Sequence, residues 1–192
     1  MTGETTWDRE RAVGAAAPGL RSEEPATSDE GRRRLAAPRR RAGDRVTASV
    51  HIDAPPERVY EYFTRPQAIL TWMGEYALVE AEPGGRFHLD IKGAPVRGRY
   101  LHLDPPHRLL ISWGYAGSDR LPPGASTVEV RLTAERGGTR VVLEHRDLPP
   151  QERPGHASGW THYLARLRVA GSGRDPGPDA GMPAPPATEE PP

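Results

Sequence analysis

The stretch Arg45-Val-Thr-Ala-Ser-Val-His-Ile-Asp-Ala-Pro-Pro-Glu-Arg-Val-Tyr-Glu-Tyr-Phe63 decides the fold, because its hydrophobic period changes once and at a defined point. Val46, Ala48, Val50 and Ile52 alternate with Thr47, Ser49 and His51, the period of a half-buried strand. Asp53-Ala54-Pro55-Pro56 stops it. Pro56 suits the first turn of a helix, and Val59, Tyr62 and Phe63 then fall at i, i+3 and i+4 on one face. Pro66 ends that helix and opens a second short one through Ile69 and Trp72. A strand followed by a helical pair is predicted.

Downstream of Gly74 the period returns to two. Ala77 to Glu82, then Phe87, Leu89 and Ile91, then Arg97 to Leu103, then Leu109, Ile111, Trp113 and Tyr115, then Val128, Val130 and Leu132, then Val141 and Leu143 read as six strands. Turn chemistry separates them at Pro83-Gly84-Gly85, Gly93-Ala94-Pro95, Asp104-Pro105-Pro106, Leu121-Pro122-Pro123-Gly124 and Gly137-Gly138. Connections this short join antiparallel neighbours, so the six form a meander. After Pro149, Pro150 and Pro154 the period becomes helical, with His156, Trp160, Tyr163, Leu164 and Leu167 on one stripe. The expected architecture is α+β, in β-αα-β6-α order. A curved antiparallel seven-stranded sheet wraps around a long C-terminal helix, and a sheet wrapped round one helix tends to leave a cavity between them.

Composition separates this core from its flanks. Residues 1–44 hold one aromatic, Trp7, and residues 172–192 hold none, whereas every other aromatic and every histidine falls between 45 and 171. The expected organisation is a disordered N-terminal extension (1–44), a folded domain (45–171) and a disordered Pro-rich tail (172–192). The basic run at 32–41 lacks interleaved aromatics that could stack on bases, and reads as a solvated tail. With no cysteine, disulfide scaffolds, thiolate metal sites and thiol nucleophiles are excluded. Charges balance at 26 against 26, which leaves no overall footprint for nucleic acid or an anionic membrane. No apolar run approaches the roughly 20 residues that span a bilayer. The sequence is read as that of a soluble, cytoplasmic protein.

Several segments together carry a family likeness: Val50-His-Ile-Asp-Ala-Pro-Pro-Glu-Arg-Val59 with Trp72, Pro83-Gly-Gly-Arg-Phe87, Tyr100-Leu-His-Leu-Asp-Pro-Pro-His-Arg-Leu-Leu-Ile-Ser-Trp113, Gly138-Thr-Arg-Val-Val-Leu-Glu-His145, Gly159-Trp160 and Tyr163-Leu-Ala-Arg-Leu167. In order and spacing they resemble the bacterial branch of the family of homologues of the activator of the 90-kDa heat-shock protein ATPase (AHSA-type), within the START-like (SRPBCC) superfamily. The resemblance covers residues 45–171 and implies a helix-grip fold, shared with the birch-pollen allergen type, whose sheet and C-terminal helix enclose an apolar pocket. The superfamily includes lipid and hormone binders, polyketide cyclases, ring-hydroxylase subunits and co-chaperone domains, so fold alone does not choose among them.

Candidate pocket residues are the aromatics on elements expected to face the enclosed space: Trp72, Phe87, Tyr100, Trp113, Tyr115, Trp160 and Tyr163. Each serves equally well as plain core. Trp113 and Tyr115 share a strand face with Leu109 and Ile111, whereas Tyr100 alternates with Leu101 and Leu103, leaving its side ambiguous. His145 shares a face with Val141 and Leu143, and His156 falls on the helix stripe, so these two are the candidates to converge inside the grip as proton handlers. The carboxylates Glu75, Glu80, Asp90, Glu129 and Glu144 read as the wet side of the sheet. No nucleophile elbow, phosphate loop or metalloprotease helix occurs, which weighs against an enzyme. The leading reading is a module binding an apolar or aromatic small molecule, with no cofactor or metal, as monomer or homodimer. The alternatives are a polyketide-cyclase or aromatase-like enzyme using the same pocket, and a co-chaperone-like activator of a heat-shock ATPase.

Overall fold

Proline and glycine partition the chain. The computed structural model describes residues 45–181; residues 1–44 and 182–192, with the basic run at 32–41 and the end of the Pro-rich tail, lie outside the described residues. The elements run β1 (Arg45–Ile52), α1 (Pro56–Glu61), α2 (Pro66–Leu70), β2 (Tyr76–Val79), β3 (Arg86–Ile91), β4 (Ala94–Asp104), β5 (Arg108–Trp113), β6 (Ser126–Glu135), β7 (Gly138–Arg146) and α3 (Arg153–Gly171). Helices α1 and α2 each begin on a proline, whose fixed φ and missing N–H suit a first turn. One antiparallel sheet has the order β1-β7-β6-β5-β4-β3-β2. β2 through β7 form the meander that the short connections predict, and β1 returns to close the far side against β7, with Val46 opposite His145 and Ile52 opposite Thr139.

The helix α3 lies along the inner face of this sheet. Its buried side chains are Trp160, Tyr163, Leu164, Leu167 and Ala170, the predicted stripe carried one turn further. They share one hydrophobic core with Leu109, Ile111, Val128, Val130, Val141 and Leu143, all essentially inaccessible. Burying one such side chain contributes about 1.5–3 kcal/mol, so this contact dominates the stability of the domain. The end of α3 presses on β1 so closely that a Cβ on Gly171 would stand 2.6 Å from Ile52 Cγ2. Tyr62 ties α1 to the same place, its hydroxyl donating to the Ala170 carbonyl at 2.8 Å.

Three details differ from the pattern read in the sequence. The β3–β4 turn sits at Lys92-Gly93, both with positive φ (50° and 78°), and Ala94 and Pro95 already belong to β4. A paired positive φ is the signature of a tight hairpin turn, and Lys92 accepts it at a modest steric cost. Tyr100 faces inward in step with Val96 and Gly98, and the bulge that follows it, between Tyr100 and His102, breaks the alternation so that Leu103 is partly buried while Leu101 remains about half exposed (49 %). Glu129 is on the outer face as expected, yet it is 1 % exposed, because the guanidinium groups of Arg108, Arg131 and Arg146 close over it. That enclosure holds its carboxyl below the usual range although burial alone would raise it.

Candidate functional site

Between the first half of α3 and the strands β3–β5 lies a cavity of about 500 Å³. Its helix wall is Gly155, His156, Gly159, Trp160 and Tyr163, and its sheet wall is Ile91, Ala94, Trp113 and Tyr115. Met73, Lys92, Glu152 and Gly181 complete the rim. The space exists because Gly155 and Gly159, one helical turn apart, present no side chain to the strands; a Cβ built at Gly155 meets nothing within 4 Å. The volume falls within the range of small-molecule sites, and most of the lining is apolar and aromatic.

One corner is polar. The Tyr115 hydroxyl and His156 Nε2 are 3.1 Å apart, and His156 Nδ1 is 2.8 Å from the Glu152 carbonyl oxygen. A carbonyl only accepts, so Nδ1 carries a hydrogen, and in the neutral ring Nε2 accepts from the tyrosine O–H. The Tyr115 oxygen, its own proton directed to His156, is left as an acceptor at the cavity wall. Burial, chiefly, raises the pKa of this phenol, which keeps it protonated. The Trp113 indole N–H stands beside the same oxygen, near enough to favour its charged form, but makes no hydrogen bond.

Behind this corner His145 is fully buried and held on both nitrogens. Trp160 Nε1 donates to its Nδ1 at 3.0 Å, which requires the Nε2–H tautomer, and Nε2 faces Ser126 Oγ at 2.9 Å. Ser126 passes its own proton to the Trp113 carbonyl at 3.1 Å. Burial foremost, with the neighbouring His156, lowers the pKa of His145 to about 3, so the ring is neutral across the physiological range. The two histidine rings meet edge to face at 4.9 Å, so the structure does bring the predicted pair together. Only His156 reaches the cavity; His145 orients Trp160 from behind.

The seven predicted pocket aromatics divide in the same way. Trp113, Tyr115, Trp160 and Tyr163 line the cavity. Trp72, Phe87 and Tyr100 lie deeper in the core, outside the lining. Trp72 donates to the Tyr62 carbonyl at 3.0 Å, Tyr100 to the Phe63 carbonyl at 2.7 Å, and Phe87 packs edge-on to Tyr100. They brace α1 and α2 against the sheet. Sequence reasoning missed the glycines and the rim residues Met73, Lys92 and Gly181. The Gly155/Gly159 spacing on the aromatic stripe was the available signal; nothing local marked the rim.

Among the described residues, no group of three or more His, Asp or Glu side chains gathers to hold a metal ion. Likewise no helix among them is long and apolar enough to cross a membrane.

Comparison with known proteins places this geometry. Residues 53–171 match the family described as Activator of Hsp90 ATPase homolog 1-like protein. The solution structure of an AHSA1-like protein from Rhizobium etli is 46 % identical and superposes with a TM-score of 0.59, covering 71 % of this chain and 86 % of that one. CalU16 from Micromonospora echinospora is 32 % identical with a TM-score of 0.57, covering 70 % and 77 % respectively. The human activator of 90 kDa heat shock protein ATPase homolog 1 is 28 % identical over 109 residues, 56 % of this chain; the chain spans about a third of that relative's length (31 %). With the family match extending over most of the folded domain, and with the seven-stranded sheet gripping the C-terminal helix, the chain belongs to the AHSA1-like branch of the helix-grip proteins.

Proposed function

We propose that this domain binds an apolar, aromatic small molecule in the cavity between α3 and the sheet. The observation that carries the reading is the cavity of about 500 Å³, whose walls are mainly apolar and aromatic, with a hydrogen-bonded Tyr115–His156 pair at one corner. A flat ligand body gains area against Trp113, Trp160 and Tyr163, and the Tyr115 oxygen, as an acceptor, favours a ligand hydroxyl or N–H. The reading is tested by native mass spectrometry of protein purified gently from its own host, followed by denaturing extraction. One retained molecule per chain, apolar and aromatic, is the expected result. A protein without retained ligand that is also indifferent to added aromatics in a thermal-shift screen contradicts it.

The likeness to the human activator over 109 residues favours a second reading, contact with a heat-shock ATPase. It is tested by adding the full chain to the host's own ATPase: a raised turnover rate supports it, and an unchanged rate counts against it. A third activity, cyclisation or aromatisation of a bound polyketide, would use His156 and Tyr115 to move a proton, and is tested by turnover of the extracted molecule.

A further inference from the structure

The chain continues past the family-matched region, and its next residues turn back over the rim of the cavity. Arg166, on α3, holds this segment by donating to the Gly177 carbonyl at 2.9 Å and the Pro178 carbonyl at 3.4 Å, while its Nε donates to the Trp72 carbonyl at 3.1 Å. Asp179 is then fixed from both sides of the opening. Its carboxylate faces His162 Nε2 at 2.7 Å and the Tyr163 hydroxyl at 3.3 Å, both on α3, while Lys92 Nζ, at the β3–β4 turn, donates to its backbone carbonyl at 2.5 Å. The Gly181 N–H closes the turn by donating back to the same carboxylate at 2.9 Å. Lys92, Tyr163 and Gly181 all line the cavity, so the segment spans the opening from helix to hairpin.

The attachment is polar and its residues are partly solvated, in contrast to the aromatic walls it covers. A latch of that kind opens at a small free-energy cost, whereas parting the sheet from α3 would expose the core. We infer that residues 177–181 form a strap that closes one side of the cavity and sets the rate of ligand exchange, with Asp179 as its latch; the inference rests on the binding reading above. Because the family match ends at residue 171, the strap is a device of this chain outside the matched domain.

The test uses the full chain and its Asp179→Ala variant, with the neutral fluorophore N-phenyl-1-naphthylamine as probe. Hydrogen exchange reports docking without any ligand: the Gly177 amide, which donates to Asp175 at 2.8 Å, is slowed in the native chain and released in the variant. Stopped-flow fluorescence should then show probe association and dissociation both faster by about tenfold in the variant. Exchange at unstructured rates in the native chain overturns the strap, as do unchanged probe kinetics after the amide is released; in that last case the binding reading stands. If the probe binds neither protein, the binding reading fails and the strap's role falls with it.

Discussion

The Tyr115 hydroxyl stands 3.1 Å from His156 Nε2, and this hydrogen-bonded pair sits in the wall of a mainly apolar and aromatic cavity. Because His156 Nδ1 is turned to the Glu152 carbonyl, the tyrosine proton is committed to His156 and the phenol oxygen faces the cavity as an acceptor. On the proposed binding function, this arrangement would discriminate ligands by a donor at one position and by apolar area elsewhere.

From that arrangement a donor on an aromatic body should be favoured. 2-Naphthol is expected to bind about fivefold more tightly than naphthalene, the worth of one neutral hydrogen bond. Tyr115→Phe should erase the difference while leaving naphthalene binding nearly unchanged. Isothermal titration of both ligands to both proteins checks this.

His145 makes stability depend on pH. Its pKa of about 3 in the fold lies below the ordinary histidine value, so between roughly pH 3 and 6.5 the unfolded chain binds a proton that the folded chain refuses. Stability therefore falls as pH drops through that window, by up to about 1.4 kcal/mol per pH unit from this group, and is insensitive to it above. Urea titrations between pH 5 and 7 should show a slope that His145→Gln flattens, alongside a lower stability at pH 7.

Trp160 holds His145 from the cavity side. Trp160→Leu leaves the buried Nδ1 acceptor without its donor and opens a void, so a loss of about 3–5 kcal/mol is expected in chemical denaturation. By contrast Tyr100→Phe, which orphans only the Phe63 carbonyl in the core, should cost about 1–2 kcal/mol and leave probe affinity intact. Equal effects of Tyr100→Phe on affinity and stability would contradict its placement outside the lining.

On the outer face, Glu129 neutralises three arginines at once. Replacing it by glutamine leaves those guanidinium groups to repel one another, partly relieved by water and by Glu144, which pairs with Arg131 at 3.4 Å. A destabilisation of about 2 kcal/mol is expected, reduced at high salt. Thermal denaturation at low and high ionic strength measures both.

The elements were legible in the sequence because each reports through a local signal: β1 by alternation, α1 by Pro56 at its first turn, although it ends at Glu61 so that Tyr62 and Phe63 lie just past it, and α3 by its aromatic stripe. What remained hidden was non-local. Tyr100 could not be assigned a side because the bulge beside it breaks the parity on which the reading depends. Glu129 reads as an exposed acid until three strands bring Arg108, Arg131 and Arg146 around it. The division of the aromatics into lining and core follows from where Gly155 and Gly159 leave room, a matter of helix-to-strand distance that composition does not encode. The contacts of Asp179 join residues on α3 and the β3–β4 turn, in a stretch whose composition reads as a disordered tail from Ser172.

The most direct test of the central claim fills the cavity from the helix side. Gly155 is part of the lining and a Cβ there meets nothing within 4 Å, so Gly155→Leu adds a bulky side chain at the helix wall without a clash and removes a helical glycine. Fluorescence titration with N-phenyl-1-naphthylamine should give saturable binding at one site per native chain and none to Gly155→Leu, with the variant about 0.5–1 kcal/mol more stable. Equal binding to the two proteins, or no saturable binding to the native chain, would contradict the assignment of this cavity as the ligand site.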